Sequence, residues 1–138
     1  MGTYSIREVC QKFNITASTL RYYEDLGLLP LVERTPNGQR IYTDCHISRL
    51  VGIQCFKQTG LPLAQIQNFF LYEENISEYI DEILLLVTEH EQDIIRQMQE
   101  MESNLAHIHQ KVSYYRGIKD AIKLNKEWPC WNDYKNVK

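Results

Sequence analysis

The side chains of this chain best suited to metal binding or nucleophilic chemistry are its four cysteines and four histidines. The cysteines are Cys10, Cys45, Cys55 and Cys130, and no two have the two-residue spacing of a zinc or redox pair. His107 and His109 fall on different faces of a helix, so they do not form a ligand pair. The sequence therefore predicts no metal site, no cofactor and no catalytic set, and we expect the protein not to be an enzyme.

A second group of residues combines arginine with tyrosine. Arg21, Tyr22 and Tyr23 are consecutive, and Arg34 and Arg40 flank a Pro-Asn-Gly sequence. Arginine binds guanine edges and phosphates, and tyrosine hydroxyls reach phosphates. The pattern indicates a nucleic-acid contact, although a tyrosine packed in the core beside a solvated arginine would have the same sequence.

Local signals predict the elements that carry these residues. Ser5 and Glu8 have the spacing of a capping box for a first helix. Thr16 is a candidate N-cap for a second helix over residues 17–26. Two short helices across a tight turn form a helix-turn-helix. The turn at 36–38 then predicts a hairpin with arginines on both sides, which has the character of a wing.

Two more short helices follow the predicted hairpin. Thr43 can cap a third helix over residues 44–58, ended by Gly60. Its predicted apolar face consists of Ile47, Leu50, Val51 and Ile53. Pro62 suits the first turn of a fourth helix.

Beyond Asn75, apolar residues recur at alternating spacings of four and three, the pattern of a coiled coil, with one stutter near His90. At 1.5 Å per residue, 40 residues would extend roughly 60 Å, so the apolar stripe needs a partner helix. We predict a winged domain at 1–74, a dimerisation helix at 75–118 and a tail at 119–138. The predicted dimer seam includes Ile83, Val87, Ile94, Met98, Met101, Leu105, Ile108 and Val112.

Charge is distributed unevenly along the chain. Residues 1–72 have seven Lys and Arg against five Asp and Glu, whereas residues 73–110 have Arg96 alone against ten acids. Residues 111–138 have seven bases against three acids. DNA binding requires positive charge at the phosphate contacts and not in the whole chain, so the acidic segment must point away from the phosphates.

The order of these elements and several motifs resemble the MerR family of bacterial transcription regulators. The most specific matches are Thr19-Leu20-Arg21-Tyr22-Tyr23-Glu24 and Gly27-Leu28-Leu29-Pro30. Further matches are Tyr4-Ser5-Ile6, Arg34, Gly38, Arg40-x-Tyr42 and Gly60-Leu61-Pro62-Leu63. Together they cover residues 4–66, and beyond them the resemblance is architectural.

The resemblance implies a mainly α-helical fold with a small β-hairpin wing, and a homodimer joined by an antiparallel coiled coil. Such a dimer would bind duplex promoter DNA at a palindrome, distort it and so realign the promoter for RNA polymerase, which is indirect readout. The candidate DNA contacts are Lys12, Ser18, Thr19, Arg21, Tyr22, Tyr23, Arg34, Arg40 and Tyr42. For Tyr42, the alternative is a hydrophobic anchor of the hairpin.

Within the family, the chain is most similar to the AdhR- and NmlR-like branch that responds to aldehyde and thiol stress. Cys55 stands where that branch has its reactive cysteine, so we predict that it senses an electrophile. The alternative is a small buried hydrophobe, because the C-terminal end of a helix disfavours a thiolate.

Three other interpretations remain open from the sequence. A small ligand could bind near the tail around Trp128 and Trp131, although a tail that covers the end of the coiled coil is favoured. The chain could be a coiled-coil interaction protein without DNA binding, or an enzyme dependent on the Cys55 thiol. We expect a cytoplasmic protein without a membrane span or signal peptide.

Overall fold

The computed structural model describes residues 2–135, which form two compact units, one ending at Thr88 and one beginning at Glu89. The elements are β1 (Thr3–Ser5), α1 (Ile6–Phe13), α2 (Ala17–Asp25), β2 (Glu33–Arg34), β3 (Arg40–Thr43), α3 (Asp44–Gln58), α4 (Leu63–Glu73), α5 (Ile76–Lys123) and a 3-10 turn (Trp131–Asp133). The fold is mainly helical with a small antiparallel sheet and a long C-terminal helix, as predicted.

Side-chain caps fix the starts of the first two helices. The backbone N–H of Glu8 donates to the Ser5 hydroxyl, and the backbone N–H of Ser5 donates to the Glu8 carboxylate, both at 3.2 Å. The Thr16 hydroxyl accepts from the backbone N–H of Thr19 at 3.1 Å. These bonds satisfy backbone donors that a helix leaves free in its first turn. The predicted capping box and the predicted second cap are confirmed.

The first turn of α3 contains a buried histidine, His46, that the sequence did not single out. Nδ1 of His46 accepts from the backbone N–H of Thr43 at 3.0 Å, so the ring proton lies on Nε2. Nε2 then donates to the carbonyl of Pro30 at 2.7 Å. His46 therefore joins the end of β3, the start of α3 and the loop after α2.

The sheet has three strands in the order β1-β3-β2, all antiparallel, where the sequence predicted only the hairpin. In the register, Tyr4 lies opposite Tyr42 and Arg34 opposite Arg40. Asp44 fixes β1, because its carboxylate accepts from the backbone N–H of Gly2 and from the Tyr4 hydroxyl, both at 2.9 Å. Strand β1 is too short to show an alternating pattern, and the residues that hold it are distant in sequence.

One hydrophobic core holds the first unit together. Its fully buried side chains include Val9, Leu20, Leu28, Leu29, Tyr42, Leu50, Ile53 and Ile66. Val51 is 56% exposed, so its assignment to the apolar face of α3 is wrong. Pro62 lies one position earlier than predicted, at the N-cap of α4. Leu86 also packs against this core, which is why the unit extends past residue 74 into α5.

Helix α5 extends beyond its predicted end at residue 118 and finishes at Lys123, just before Asn125 adopts a left-handed conformation with φ 54°. Its backbone departs from helical angles at Tyr79, whose ring stacks on Tyr72 with the ring centres 5.1 Å apart. Within residues 2–135, no helix is both long and apolar enough to cross a membrane.

Candidate nucleic-acid interface

Helix α2 has one face in the core and one in solvent. Leu20 and Tyr23 are buried and anchor the helix to the first unit. Ser18, Arg21 and Tyr22 are exposed on the other side. Nε of Arg21 donates to the carbonyl of Ala17 at 3.3 Å, which aligns the guanidinium along the exposed face. This face therefore presents a cation and two hydroxyls to solvent in a fixed arrangement.

The wing (residues 33–43) presents a second cation. Arg34 is exposed, and its Nη1 donates to the carbonyl of Gly38 at 3.4 Å. Gly38 has φ 85°, a conformation that favours glycine, and the backbone N–H of Thr35 donates to the carbonyl of Gln39 at 2.7 Å. The turn is thus closed by its own hydrogen bonds, and it holds Arg34 at the surface.

Arg40 has a different environment from Arg34. Its Nε donates to the Glu24 carboxylate at 2.7 Å, and both side chains are mostly shielded from solvent. A phosphate contact by Arg40 stays a prediction. Arg40 is nevertheless held against α2 and is less free than Arg34.

Two of the predicted DNA contacts, Tyr42 and Tyr23, have buried rings, and the burial of Tyr42 is complete. Tyr42 is fully buried, so the alternative, an anchor for the hairpin, is what the structure shows. Burial raises the pKa of Tyr42 to about 12, and the negative charge of Glu24 adds to that effect. Tyr23 is 5% exposed, and its hydroxyl accepts from Nζ of Lys57 at 3.1 Å. Of the three tyrosines, Tyr22 is exposed, Tyr42 is inaccessible, and a DNA contact by Tyr23 stays a prediction.

A shallow groove of about 430 Å³ adjoins the exposed face of α2. Its lining consists of Ser18, Thr19, Tyr22, Tyr23, Lys57 and Leu63. The sequence prediction missed Lys57, because only the fold brings the end of α3 beside α2. The cation of Lys57 lies 5.5 Å from the centre of the Tyr23 ring. A groove that combines an ammonium with hydroxyl donors suits a phosphate group. Lys12 is exposed at the end of α1, away from this lining, and its contact with DNA stays a prediction.

Comparison with known proteins places this geometry in a family. The family model for the MerR helix-turn-helix regulatory proteins matches residues 4–73. The chain belongs to the MerR family. The model ends at the C-terminal end of α4, so it spans the helix-turn-helix, the wing and the following helix pair.

Relatives of this MerR-family chain extend the match beyond those residues. An HTH-type transcriptional regulator of Haemophilus influenzae is 32% identical over 117 residues, which are 85% of this chain and 87% of that protein. The regulator AdhR of Bacillus subtilis is 39% identical over 71 residues, half of each chain. The crystal structure of HiNmlR, a MerR family regulator lacking the sensor domain and bound to promoter DNA, has a TM-score of 0.80 at 29% identity and covers 99% of this chain and 98% of that one.

The cysteines of this MerR-family chain differ in exposure. Cys55 is exposed, so its thiol is reachable, and the alternative of a small buried hydrophobe is wrong. It shares the solvent face of α3 with Val51, one helical turn earlier. Cys45 and Cys130 are also exposed and Cys10 is half-buried. No group of three or more potential metal ligands occurs in residues 2–135.

The α5 seam is largely uncovered. Met98, Met101, Leu105, Ile108 and Val112 are exposed, whereas Ile83, Val87 and Ile94 are half-buried. Exposed apolar residues at this spacing over several turns form a stripe that a monomer leaves in water.

The tail packs against the side of α5 along its last turns, and the favoured expectation that it covers the end of the coiled coil stays a prediction. The Trp131 ring lies edge-on to Tyr114, with centres 5.3 Å apart, and Nζ of Lys111 lies 4.6 Å from the centre of the Trp131 ring. Gly117 permits this contact, because a Cβ there would lie 2.8 Å from the Tyr134 hydroxyl. The tail face is roughly a third of a turn from the exposed seam, so the seam stays open.

Proposed function

We propose that this MerR-family chain is a transcription regulator that binds duplex promoter DNA through α2 and the wing. The observation that carries the proposal is the exposed face of α2, where Arg21 and Tyr22 point to solvent while Leu20 and Tyr23 fix the helix from behind. A helix presented in this way fits the major groove, and Arg21 has the reach to bond a guanine edge. That HiNmlR was crystallised on promoter DNA supports the same assignment.

Phosphate contacts would surround this helix. Arg34 lies on the wing, and Ser18, Thr19 and Lys57 lie along the groove beside α2. Contacts of this kind fix the position of the protein on the duplex, whereas the contact of Arg21 would read sequence.

The proposal predicts different effects for Arg21 and Arg34. Arg21→Gln should weaken binding to a preferred duplex by about 1–3 kcal/mol and lower sequence selectivity. Arg34→Gln should weaken binding to all duplexes and reduce the salt slope by about one. The measurement is fluorescence anisotropy over a salt series, with a duplex recovered by the wild type from a random-sequence pool and its scrambled version.

Arg116→Gln is the matched control, because it removes an exposed arginine from α5. It should leave both duplex affinities unchanged. If Arg21→Gln and Arg34→Gln bind as the wild type does, α2 and the wing are not the DNA-binding surface. The chain would then be a coiled-coil protein that uses another surface.

The proposed active form is a homodimer through α5. A second copy is the occupant that fits the exposed stripe, because the stripe has coiled-coil spacing and the two halves of α5 differ in charge. Residues 76–99 have six acids and one base, and residues 100–123 have three acids and four bases. An antiparallel pair places each acidic half beside a basic half, whereas a parallel pair places acid beside acid. Such a dimer would present two winged units to the halves of a palindrome.

The proposed mode of activation is distortion of the promoter. The distortion would realign the promoter for RNA polymerase, which is the proposed partner. Activation would depend on the energy of bending and untwisting DNA between the half-sites and not on a change in affinity. The proposed signal is an electrophile or aldehyde that reacts at Cys55, whose exposure supports this role.

Cys55→Ser should therefore retain operator binding and lose induction by an aldehyde or quinone. Cys45→Ser is the matched control, since Cys45 is an exposed thiol on the same helix. The measurements are intact mass after exposure and promoter activity in a reporter strain. Full induction in Cys55→Ser would exclude Cys55 as the sensor and favour a non-covalent ligand near the exposed Trp128.

A further inference from the structure

The ion pair of Glu24 and Arg40 joins the two elements that the proposed function places on DNA. Glu24 is near the C-terminal end of α2, and Arg40 begins β3 of the wing. The Arg40 Nε to Glu24 carboxylate distance is 2.7 Å, and the side chains are 22% and 20% exposed. Partial burial reduces solvent screening, so the pair is stronger than an exposed ion pair.

The register of the wing explains why a carboxylate is needed there. Arg34 and Arg40 lie directly opposite each other on β2 and β3. Like charges at such a position repel and destabilise the strand pair. Glu24 neutralises Arg40, and Arg34 turns to the carbonyl of Gly38 and to solvent. The two arginines, which leave the same face of the sheet, thus have different partners.

The hydrophobic core of the first unit lies next to this ion pair. Tyr42, two residues after Arg40, is fully buried, and its hydroxyl has no hydrogen-bond partner among the residues that the structure describes. If Arg40 moved to a phosphate, the Glu24 carboxylate would lose its cation next to a negatively charged duplex. That rearrangement is costly, because a shielded charge without a partner is unfavourable.

We propose that Glu24 and Arg40 are positioning residues that fix the wing relative to α2, and that Arg40 acts on DNA recognition through Glu24 while Arg34 supplies the phosphate contact of the wing. This inference rests on the proposed function. It replaces a direct phosphate contact by Arg40 with an indirect role, and it gives Glu24 a role in sequence selectivity.

The test on DNA uses Glu24→Gln/Arg40→Gln, because this double variant removes the pair and keeps the net charge. We expect its affinity for the duplex recovered by the wild type to fall about tenfold, with each single variant close to the double. Its affinity for the scrambled duplex and its salt slope should equal those of the wild type. Glu24→Arg/Arg40→Glu, which reverses the pair, should recover much of the selectivity.

The control is Asp93→Asn/Arg96→Gln, which removes an exposed ion pair of α5 at 2.9 Å and should change neither affinity. If the Glu24/Arg40 double variant loses about one unit of salt slope on both duplexes, Arg40 contacts a phosphate directly and the proposal is wrong. Unchanged selectivity in the double variant would also overturn it.

A second measurement needs no DNA. Hydrogen exchange of the Thr35 amide, which donates across the wing to Gln39, should accelerate about tenfold in the double variant, while the buried Ile53 amide keeps its rate. Equal acceleration at both amides, or none at Thr35, would overturn the positioning role. A wild-type protein that binds neither duplex would contradict the proposed function alone, because the exchange result still decides whether the pair holds the wing.

Discussion

Three tyrosines of the first unit have the same chemistry and different surroundings. Tyr22 is 47% exposed, Tyr23 is 5% exposed with its hydroxyl bonded to Lys57, and Tyr42 has no contact with solvent. Tyr22 and Tyr23 are adjacent on a helix, where one residue turns the side chain by about 100°. A motif of two tyrosines therefore supplies one exposed side chain and one anchor. The packing of the helix determines which tyrosine has which role.

Tyr42→Phe should leave stability unchanged or raise it by up to about 1 kcal/mol, because the buried hydroxyl forms no hydrogen bond among the described residues. DNA affinity should not change, since the side chain is inaccessible. Urea unfolding and anisotropy measure the two quantities. Tyr42→Ala is the control for burial and should cost about 3–5 kcal/mol. A Tyr42→Phe variant with weakened DNA binding would contradict the assignment of Tyr42 to the core.

The raised pKa of Tyr42 also predicts how stability changes with pH, and Tyr42→Phe serves as the reference protein. The pKa of Tyr42 rises from 10.0 to about 12 in the folded chain, mainly through burial, so the folded state favours the neutral phenol. The stability from this preference is fully present below pH 10 and is lost as the pH rises from about 10 through about 12. The wild type should lose stability relative to Tyr42→Phe over that range, which urea unfolding at pH 9 and at pH 11 would measure. A constant difference between the two proteins would contradict the raised pKa.

At the scale of elements, the helices were predictable because their signals are local. Ser5 with Glu8, and Thr16 before α2, satisfy backbone donors within one turn, so a few residues decide where each helix starts. The β1 strand, the buried His46 and the position of Lys57 depend on contacts with residues far along the chain. Sequence patterns carry little information about such contacts, and for that reason the predicted set of DNA contacts included the buried Tyr42 and omitted Lys57.

The loop between α2 and the wing has a strained residue at its surface. Leu31 has φ 61°, a left-handed conformation that costs a non-glycine residue about 1 kcal/mol or more, and its side chain is 90% exposed. The flanking carbonyls explain how the strain is maintained. His46 binds the carbonyl of Pro30 at 2.7 Å, and Arg49 binds that of Leu28 at 2.8 Å.

Leu31→Asn should stabilise the chain by about 0.5–1 kcal/mol, because asparagine tolerates this conformation and no buried contact is lost. Leu31→Val should destabilise it, since a β-branched side chain tolerates a positive φ poorly. Urea unfolding of the three proteins gives the order. Equal stability of the Asn and Val variants would mean that the backbone at Leu31 is not strained.

At the scale of the whole molecule, the exposed seam is the feature that a single copy leaves unexplained. The tail shields a different face of α5, where it uses Trp131, Tyr134 and Pro129, and Gly117 leaves space for it. The side of α5 with coiled-coil spacing is therefore largely uncovered in the chain by itself. Apolar side chains exposed over several turns favour association, since burial of each contributes roughly 1.5–3 kcal/mol.

Leu105→Asp should dissociate the proposed dimer, because it would place a carboxylate in a seam of apolar residues, where a buried charge without a partner is unfavourable. Ser103→Asp is the matched control, since Ser103 lies about half a turn from the seam and is already in solvent. Sedimentation equilibrium at micromolar concentration should show a dimer for the wild type and for Ser103→Asp, and a monomer for Leu105→Asp. Circular dichroism distinguishes a monomer that keeps its first unit from an unfolded chain.

The monomer should bind a single half-site weakly and lose the cooperative footprint over the palindrome, because two linked winged units bind at a high effective concentration. A wild type that sediments as a monomer would leave the stripe without a partner, and α5 would then have to serve a purpose other than pairing.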